Sequence, residues 1–180
     1  MTRLVTFGAI AGVVGGALRI VAAFIPFVPE HALLEALYAV VDIGMMFGLI
    51  AVYLTTAEGV GMMGLVGFAV SLVGLSSIVG PDLHEFGIDF YRLGAFVFLL
   101  GLSILAVQLI RSRQLAATRE LWLAAAVAAI TFAVLGNMIA LTLSGIALGS
   151  GFVSAGISIR ARRQLTVGIG TTVDDRRRGL

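Results

Sequence analysis

Six apolar stretches, each long enough to cross a membrane as a helix, constrain this chain more than any other feature. They cover residues 4–27, 32–54, 59–79, 88–110, 121–137 and 139–159. A transmembrane α-helix needs roughly 20 mostly apolar residues, and within lipid only helices and closed barrels satisfy their own backbone hydrogen bonds. Taken together, the last two stretches are too long for a single span, and Gly136-Asn137 at their junction is a turn signal. The sequence therefore predicts an all-α, polytopic integral membrane bundle of six transmembrane helices.

Composition supports a membrane protein and excludes several kinds of chemistry. Hydrophobic residues make up 59% of the chain and charged residues 12%, whereas soluble domains carry about 25% charged residues. There is no cysteine, so disulfides, thiolate metal sites and cysteine nucleophiles are excluded. All 12 basic residues are arginine, so no lysine is present to form a Schiff base with a substrate or with retinal.

The arginines predict the orientation of the bundle. With six spans, the arginines of the termini and of the loop after the fourth span fall on one side, namely Arg3, Arg111, Arg113, Arg119, Arg160, Arg162, Arg163 and Arg176 to Arg178. Cytoplasmic segments carry such an excess of basic residues, so both termini are predicted to be cytoplasmic. Because topology explains these arginines, no nucleic acid is expected as a partner.

The domain prediction follows from this topology. We expect one six-helix transmembrane domain over residues 1–163 and a disordered, arginine-rich cytoplasmic tail over residues 164–180. A chain without lysine that is rich in Ala, Gly, Val and Arg is typical of a GC-rich bacterial genome. The predicted location is therefore the bacterial inner (cytoplasmic) membrane, as a multi-pass protein.

The second and fourth spans resemble each other, which predicts a weak parallel repeat of helical hairpins. At an offset of 53 residues the matches are His31 with His84, Tyr38 with Tyr91, Gly48 with Gly101 and, in the preceding spans, Gly8 with Gly61. An offset of 54 aligns the polar faces of the two spans instead. Parallel repeats of this kind occur in transporters and in other membrane bundles. Small residues on the first, third and sixth spans allow close helix packing and leave room for a homo-oligomer.

A polar stripe in the second span indicates where the chain functions. His31, Glu35, Tyr38 and Asp42 follow each other at steps of four, three and four residues, so they share one face of a helix. Ionisable groups at membrane depth are costly and usually face the interior of a bundle. At a rise of about 1.5 Å per residue, Asp42 lies about 15 Å inside the second span. We expect Arg19 of the first span to pair with Asp42 or Glu35.

Further polar and aromatic residues extend the predicted site to the fourth span and the loop before it. The candidates for substrate binding are Arg19, Arg92, Asp89, Tyr91, Phe96, His84 and Glu85. The intramembrane charge therefore lies in the half of the bundle away from the cytoplasm. A channel or carrier needs a polar route through the full thickness, so this asymmetry predicts a pocket that opens outward.

Acid–base catalysis on a lipophilic small molecule is the function that we favour for this pocket. The enzyme would be an isomerase or cyclase for an isoprenoid-like substrate, without a cofactor or metal. Asp42 is the candidate general acid because a carboxyl group in an apolar site can stay protonated, and Glu35, Tyr38 and His31 are further catalytic candidates. Membrane lipid is a second expected partner.

Three alternatives remain open. One is a proton-coupled small-molecule transporter that uses Asp42 and Arg19. Another is a haem- or metal-binding membrane protein that uses His31 and His84. In the third, the charges are buried pairs that only fix the register of the helices.

Overall fold

The computed structural model describes residues 2–25, 32–79, 84–85 and 88–178, and nearly all of them are helical. The helices are α1 (Thr2–Ala22), α2 (Ala32–Ile78), α3 (Phe90–Arg111), α4 (Ala116–Leu135) and α5 (Met138–Arg178). Two strands of two residues each, β1 (His84–Glu85) and β2 (Ile88–Asp89), pair antiparallel before α3. All five helices are long and apolar enough to cross a membrane. The all-α class predicted from the sequence is therefore confirmed.

Helix α2 is interrupted at Gly61, where the chain reverses. Gly61 has φ 61° and ψ −163°, a conformation that is essentially restricted to glycine. The rings of Tyr53 and Phe68, which lie on the two sides of this residue, stack with their centroids 4.4 Å apart. In a straight helix the same two positions would be separated by about 22 Å. Residues 32–60 and 62–78 therefore lie side by side as two arms of α2.

Glycines hold α1 against the first arm of α2, and we call this pair of elements the first hairpin. A Cβ atom at Gly12 would lie 2.8 Å from Gly48 Cα, and one at Gly15 would lie 2.9 Å from the Val41 carbonyl oxygen. No side chain fits at such separations, so the two helices cross backbone to backbone. Small residues permit this approach between helices in lipid.

The second hairpin consists of residues 62–78 and α3, and its arms cross in the same register. The positions with equivalent contacts are Gly8 and Gly67, Gly12 and Ser71, Gly15 and Gly74, Val41 and Gly94, Met45 and Phe98, and Gly48 and Gly101. The second arms are thus offset by 53 residues, from Gly48 to Gly101, as in the sequence alignment. The first arms are offset by 59, from Gly8 to Gly67. The alignment of Gly8 with Gly61 is wrong for this packing because Gly61 makes the turn.

Helix α5 closes the bundle against α1 and α4. Gly16 of α1 and Gly149 of α5 meet backbone to backbone. On the other side, Trp122 of α4 is fully buried against Gly151, and its ring lies 5.1 Å from that of Phe152. Each side of α5 therefore packs through a glycine, one against a helix backbone and one against an indole ring.

The connection between α4 and α5 is a tight turn at the predicted place. Gly136, with φ 64°, ends α4, and the Asn137 side-chain oxygen accepts a hydrogen bond from the Ile139 N–H at 2.9 Å. Helix α5 then continues to Arg178, so residues 164–178 of the tail that the sequence predicted to be disordered belong to this helix. The part of α5 that could span a membrane ends at Arg162.

The outer surface of the bundle is apolar on every helix. Large apolar side chains that are more than half exposed include Val21, Leu33, Phe96, Val134 and Ile139, one from each helix in chain order. Soluble monomers rarely expose contiguous apolar patches of more than a few hundred Å². This surface is compatible with a multi-pass protein whose helices contact lipid.

Candidate functional site

Asp42 is the one charged residue that is buried among those whose side chains the structure describes. Only 7% of it is exposed, and it lies about 15 Å along the helix axis from the start of α2. An ionisable group at such a position is expensive, and in membrane proteins it usually serves a function. The neighbours of Asp42 therefore decide what it can do.

Arg19 of α1 is the charged neighbour of Asp42. It lies one turn beyond Gly15, which contacts the backbone of α2 between Val41 and Met45. Arg19 lies close enough to Asp42 for the two charges to interact. Its Nε is buried and has no hydrogen-bond partner in the part of the chain that the structure describes. Because a guanidinium offers five N–H donors, Arg19 can bind a further acceptor as well as act on Asp42.

Helix α5 forms a third wall of this site. A Cβ atom at Gly145 would lie 3.9 Å from Arg19 Nε, an ordinary contact distance, so this part of α5 packs directly beside the arginine. The adjacent Ser144 is buried and donates a hydrogen bond to the Ala125 carbonyl at 2.8 Å, which ties α5 to α4. The spacing of Gly145 and Gly149 is a GxxxG signal for close packing, and it could have indicated this wall from the sequence.

The described contacts place three helical segments around Asp42 and Arg19. The sequence placed the site between the first, second and fourth spans, the last of which corresponds to α3. Within the described residues, α1 packs against α2 and α5, whereas α3 packs against α2 and α4. The described walls of the site are therefore α1, the first arm of α2, and α5.

The other catalytic candidates lie closer to the start of α2. Glu35 is exposed in the first turn, and Tyr38 is half-buried one turn before Asp42. His31 lies outside the described residues. Of this predicted set, the structure places Asp42 inside the bundle.

The candidates on α3 belong to the second hairpin. Tyr91 and Arg92 are exposed in the first turn of α3, and Phe96 is 62% exposed. Phe96 therefore lies on the bundle surface rather than in an interior pocket. The backbones of His84 and Asp89 pair across β1 and β2, but the side chains of these two residues and of Glu85 lie outside the described part. No described contact brings this set to Arg19 and Asp42.

Metal binding has no support from the side chains that the structure describes. Among them there is no group of three or more His, Asp or Glu residues that could hold a metal ion. His31 and the side chain of His84, on which the haem or metal alternative depends, lie outside the described part. That alternative stays a prediction.

The second hairpin shows that this kind of packing does not require the charged pair. With the offsets of 59 and 53 residues that the contacts define, Arg19 corresponds to Ile78 and Asp42 to Ala95. The two hairpins nevertheless cross with the same close backbone contacts. Buried ion pairs add little net stability compared with apolar side chains. The close crossing of the helices therefore does not by itself account for Arg19 and Asp42, and a role in fixing helix register stays a prediction.

No family model matches the chain, and no curated protein or solved structure is significantly similar to it.

Proposed function

We propose that this chain is a six-span membrane enzyme that applies acid–base chemistry to a lipophilic small molecule bound beside Asp42 and Arg19. Six spans are supported by the reversal at Gly61, which divides α2 into two arms. The exposed arginines Arg3, Arg111 and Arg160 belong to chain ends and loops that this topology assigns to one side. That side is the cytoplasm under the positive-inside rule, and the bacterial inner membrane is the proposed location.

Asp42 gives or takes a proton in the proposed reaction, and Arg19 binds the polar end of the substrate. A positioned carboxyl group in an apolar site is suited to general acid–base catalysis. The buried Nε of Arg19, which has no partner among the described residues, supplies a charge-assisted donor for an oxygen of the substrate. Isomerisation or cyclisation of an isoprenoid-like molecule needs a proton donor and an anchored substrate. These two residues supply both requirements.

The observation that carries this proposal is the contrast between equivalent positions of the two hairpins. Arg19 and Asp42 stand where the second hairpin has Ile78 and Ala95, although the backbone crossings match. A pair that is costly to bury and unnecessary for packing has a functional explanation.

The proposal is tested by measuring whether hydrogen atoms of the substrate exchange with those of the solvent. Protein purified in nanodiscs is incubated in D₂O with a total bacterial lipid extract, and mass spectrometry identifies lipids that gain deuterium. We expect such a lipid with the unchanged protein. Because a general acid typically contributes 10²–10⁴-fold to rate, the deuterium gain should fall at least ~100-fold in Asp42→Asn. Glu58→Gln, which alters an exposed carboxylate near the far end of the same arm, is the matched control and should exchange normally.

Two results would contradict the proposal. One is the lack of any lipid that gains deuterium with the unchanged protein, and the other is full exchange in Asp42→Asn. Proton-driven uptake of a solute into liposomes that is lost in Asp42→Asn would establish the transporter instead.

A further inference from the structure

We propose that one face of α1, at the arginine-rich end of the bundle, binds an anionic phospholipid. Arg3, Thr6, Phe7 and Ile10 line an open groove of about 400 Å³, which we call the α1 groove. Their spacing of three, one and three residues places them on one side of the helix. The charged residue lies at the end of α1, and the apolar residues follow toward the middle of the span. A lipid has this same order of head group and acyl chain.

The apolar part of the α1 groove faces outward and is held in place. Phe7 is 56% exposed and Ile10 is 43% exposed, so both are available to an acyl chain. The ring of Phe7 meets that of Phe47 edge-on, with 5.2 Å between centroids. This contact with α2 fixes one wall of the groove. Ile10 lies about 10 Å along the helix from Arg3, which matches the first part of an acyl chain below its phosphate.

The packing of α5 on α1 brings a second arginine to the level of Arg3. The two helices run antiparallel, and Gly156 packs against the Ala9 carbonyl. Arg160 lies one turn beyond Gly156 on this same face of α5 and comes within two residues of the level of Arg3, and both arginines are exposed. Two guanidinium groups at similar depth, beside an apolar groove, complement a phosphodiester, which arginine binds with paired N–H donors. An anionic head group fits better than a zwitterionic one because it adds no positive charge.

Native mass spectrometry with two lipids of identical acyl chains tests this site. We expect phosphatidylglycerol to bind at least ~10-fold more tightly than phosphatidylcholine. Each arginine near an anionic lipid contributes a factor of roughly five, so Arg3→Gln/Arg160→Gln should weaken phosphatidylglycerol binding about 25-fold. The matched control, Arg111→Gln/Arg113→Gln, removes two exposed arginines next to the α3–α4 turn and should leave this binding unchanged.

A second variant tests the groove without altering charge. Ile10→Trp fills the α1 groove from an exposed position, so it should reduce phosphatidylglycerol binding while the fold is retained. The proposal is overturned if the two lipids bind equally well or if both double variants lose affinity to the same degree. It is also overturned if inorganic phosphate at the concentration of the lipid displaces it, since the ligand would then be a free anion.

Discussion

The two hairpins of the bundle cross through the same kind of backbone contact. At the matching positions, however, the first hairpin has two charged residues and the second has two apolar ones. In each, a run of small residues on the first arm crosses the second arm at a glycine, Gly48 or Gly101. Beyond the crossing the first hairpin carries Arg19 and Asp42, whereas the second carries Ile78 and Ala95. The comparison separates the residues that make helices cross in lipid from those that make a site.

The largest expected effect comes from breaking the charged pair. Arg19→Ile leaves the buried Asp42 carboxyl group without its positive neighbour, and we expect a loss of about 3 kcal/mol in the free energy of unfolding, the upper end of the cost of a buried polar group without a partner. The double variant Arg19→Ile/Asp42→Ala gives the first hairpin the residues of the second, and it should be at least as stable as the unchanged protein. Steric trapping in bicelles measures both values. A double variant as unstable as the single one would show that the first hairpin needs the pair for folding.

A smaller effect is expected from filling the two crossings. A Cβ atom added at Gly48 would lie 2.7 Å from Gly12 Cα. A Cβ atom added at Gly101 would lie 2.6 Å from the Ser71 hydroxyl oxygen. Overpacking of this kind typically costs about 1–3 kcal/mol, so Gly48→Leu and Gly101→Leu should be destabilised by similar amounts in the same assay. Ala69→Leu, at an exposed position of α2, is the control and should be nearly neutral. Tolerance of leucine in one hairpin but not the other would show that the crossings are not equivalent.

The smallest effect concerns the one position where the two small-residue runs differ. Ser71→Gly gives the second hairpin the residue that the first has at Gly12, and it removes the hydrogen bond from Ser71 to the Gly67 carbonyl. Glycine within a helix costs roughly 0.5–1 kcal/mol. Ser76→Gly, at an exposed serine with the same type of hydrogen bond to Leu72, calibrates this cost. We expect equal losses, and a clearly larger loss at Ser71 would show that its hydroxyl group stabilises the crossing.

The long apolar helices could be predicted from the sequence because the length of an apolar run determines whether a helix can cross a membrane. The register of the helices was harder to predict, since lipid does not distinguish one apolar face of a helix from another. Contacts between glycines determine which residues of two helices lie opposite each other. For this reason Gly8 was aligned with Gly61 although it packs like Gly67.

The charged residues of the candidate site could be recognised from the sequence, whereas the glycine that packs beside them could not. Charged residues are rare at membrane depth, so Arg19 and Asp42 were found from the sequence. Gly145 lies next to Arg19 and has no side chain that would mark it as part of a site. Phe96 was assigned to the pocket by its aromatic ring, but such a ring is equally suited to the apolar outer surface of the bundle, where it is 62% exposed.

The chain reverses direction at Gly61, so the conformation of this one residue determines in which direction each later helix runs. Without it, α2 would be one rod about 70 Å long, which is more than twice the apolar thickness of a bilayer. Relative to the proposed six-span topology, every later segment would then emerge on the opposite face, and the arginines that follow α3 would have to be translocated. The sidedness of two thirds of this polypeptide therefore depends on one backbone conformation that only an achiral residue adopts without strain.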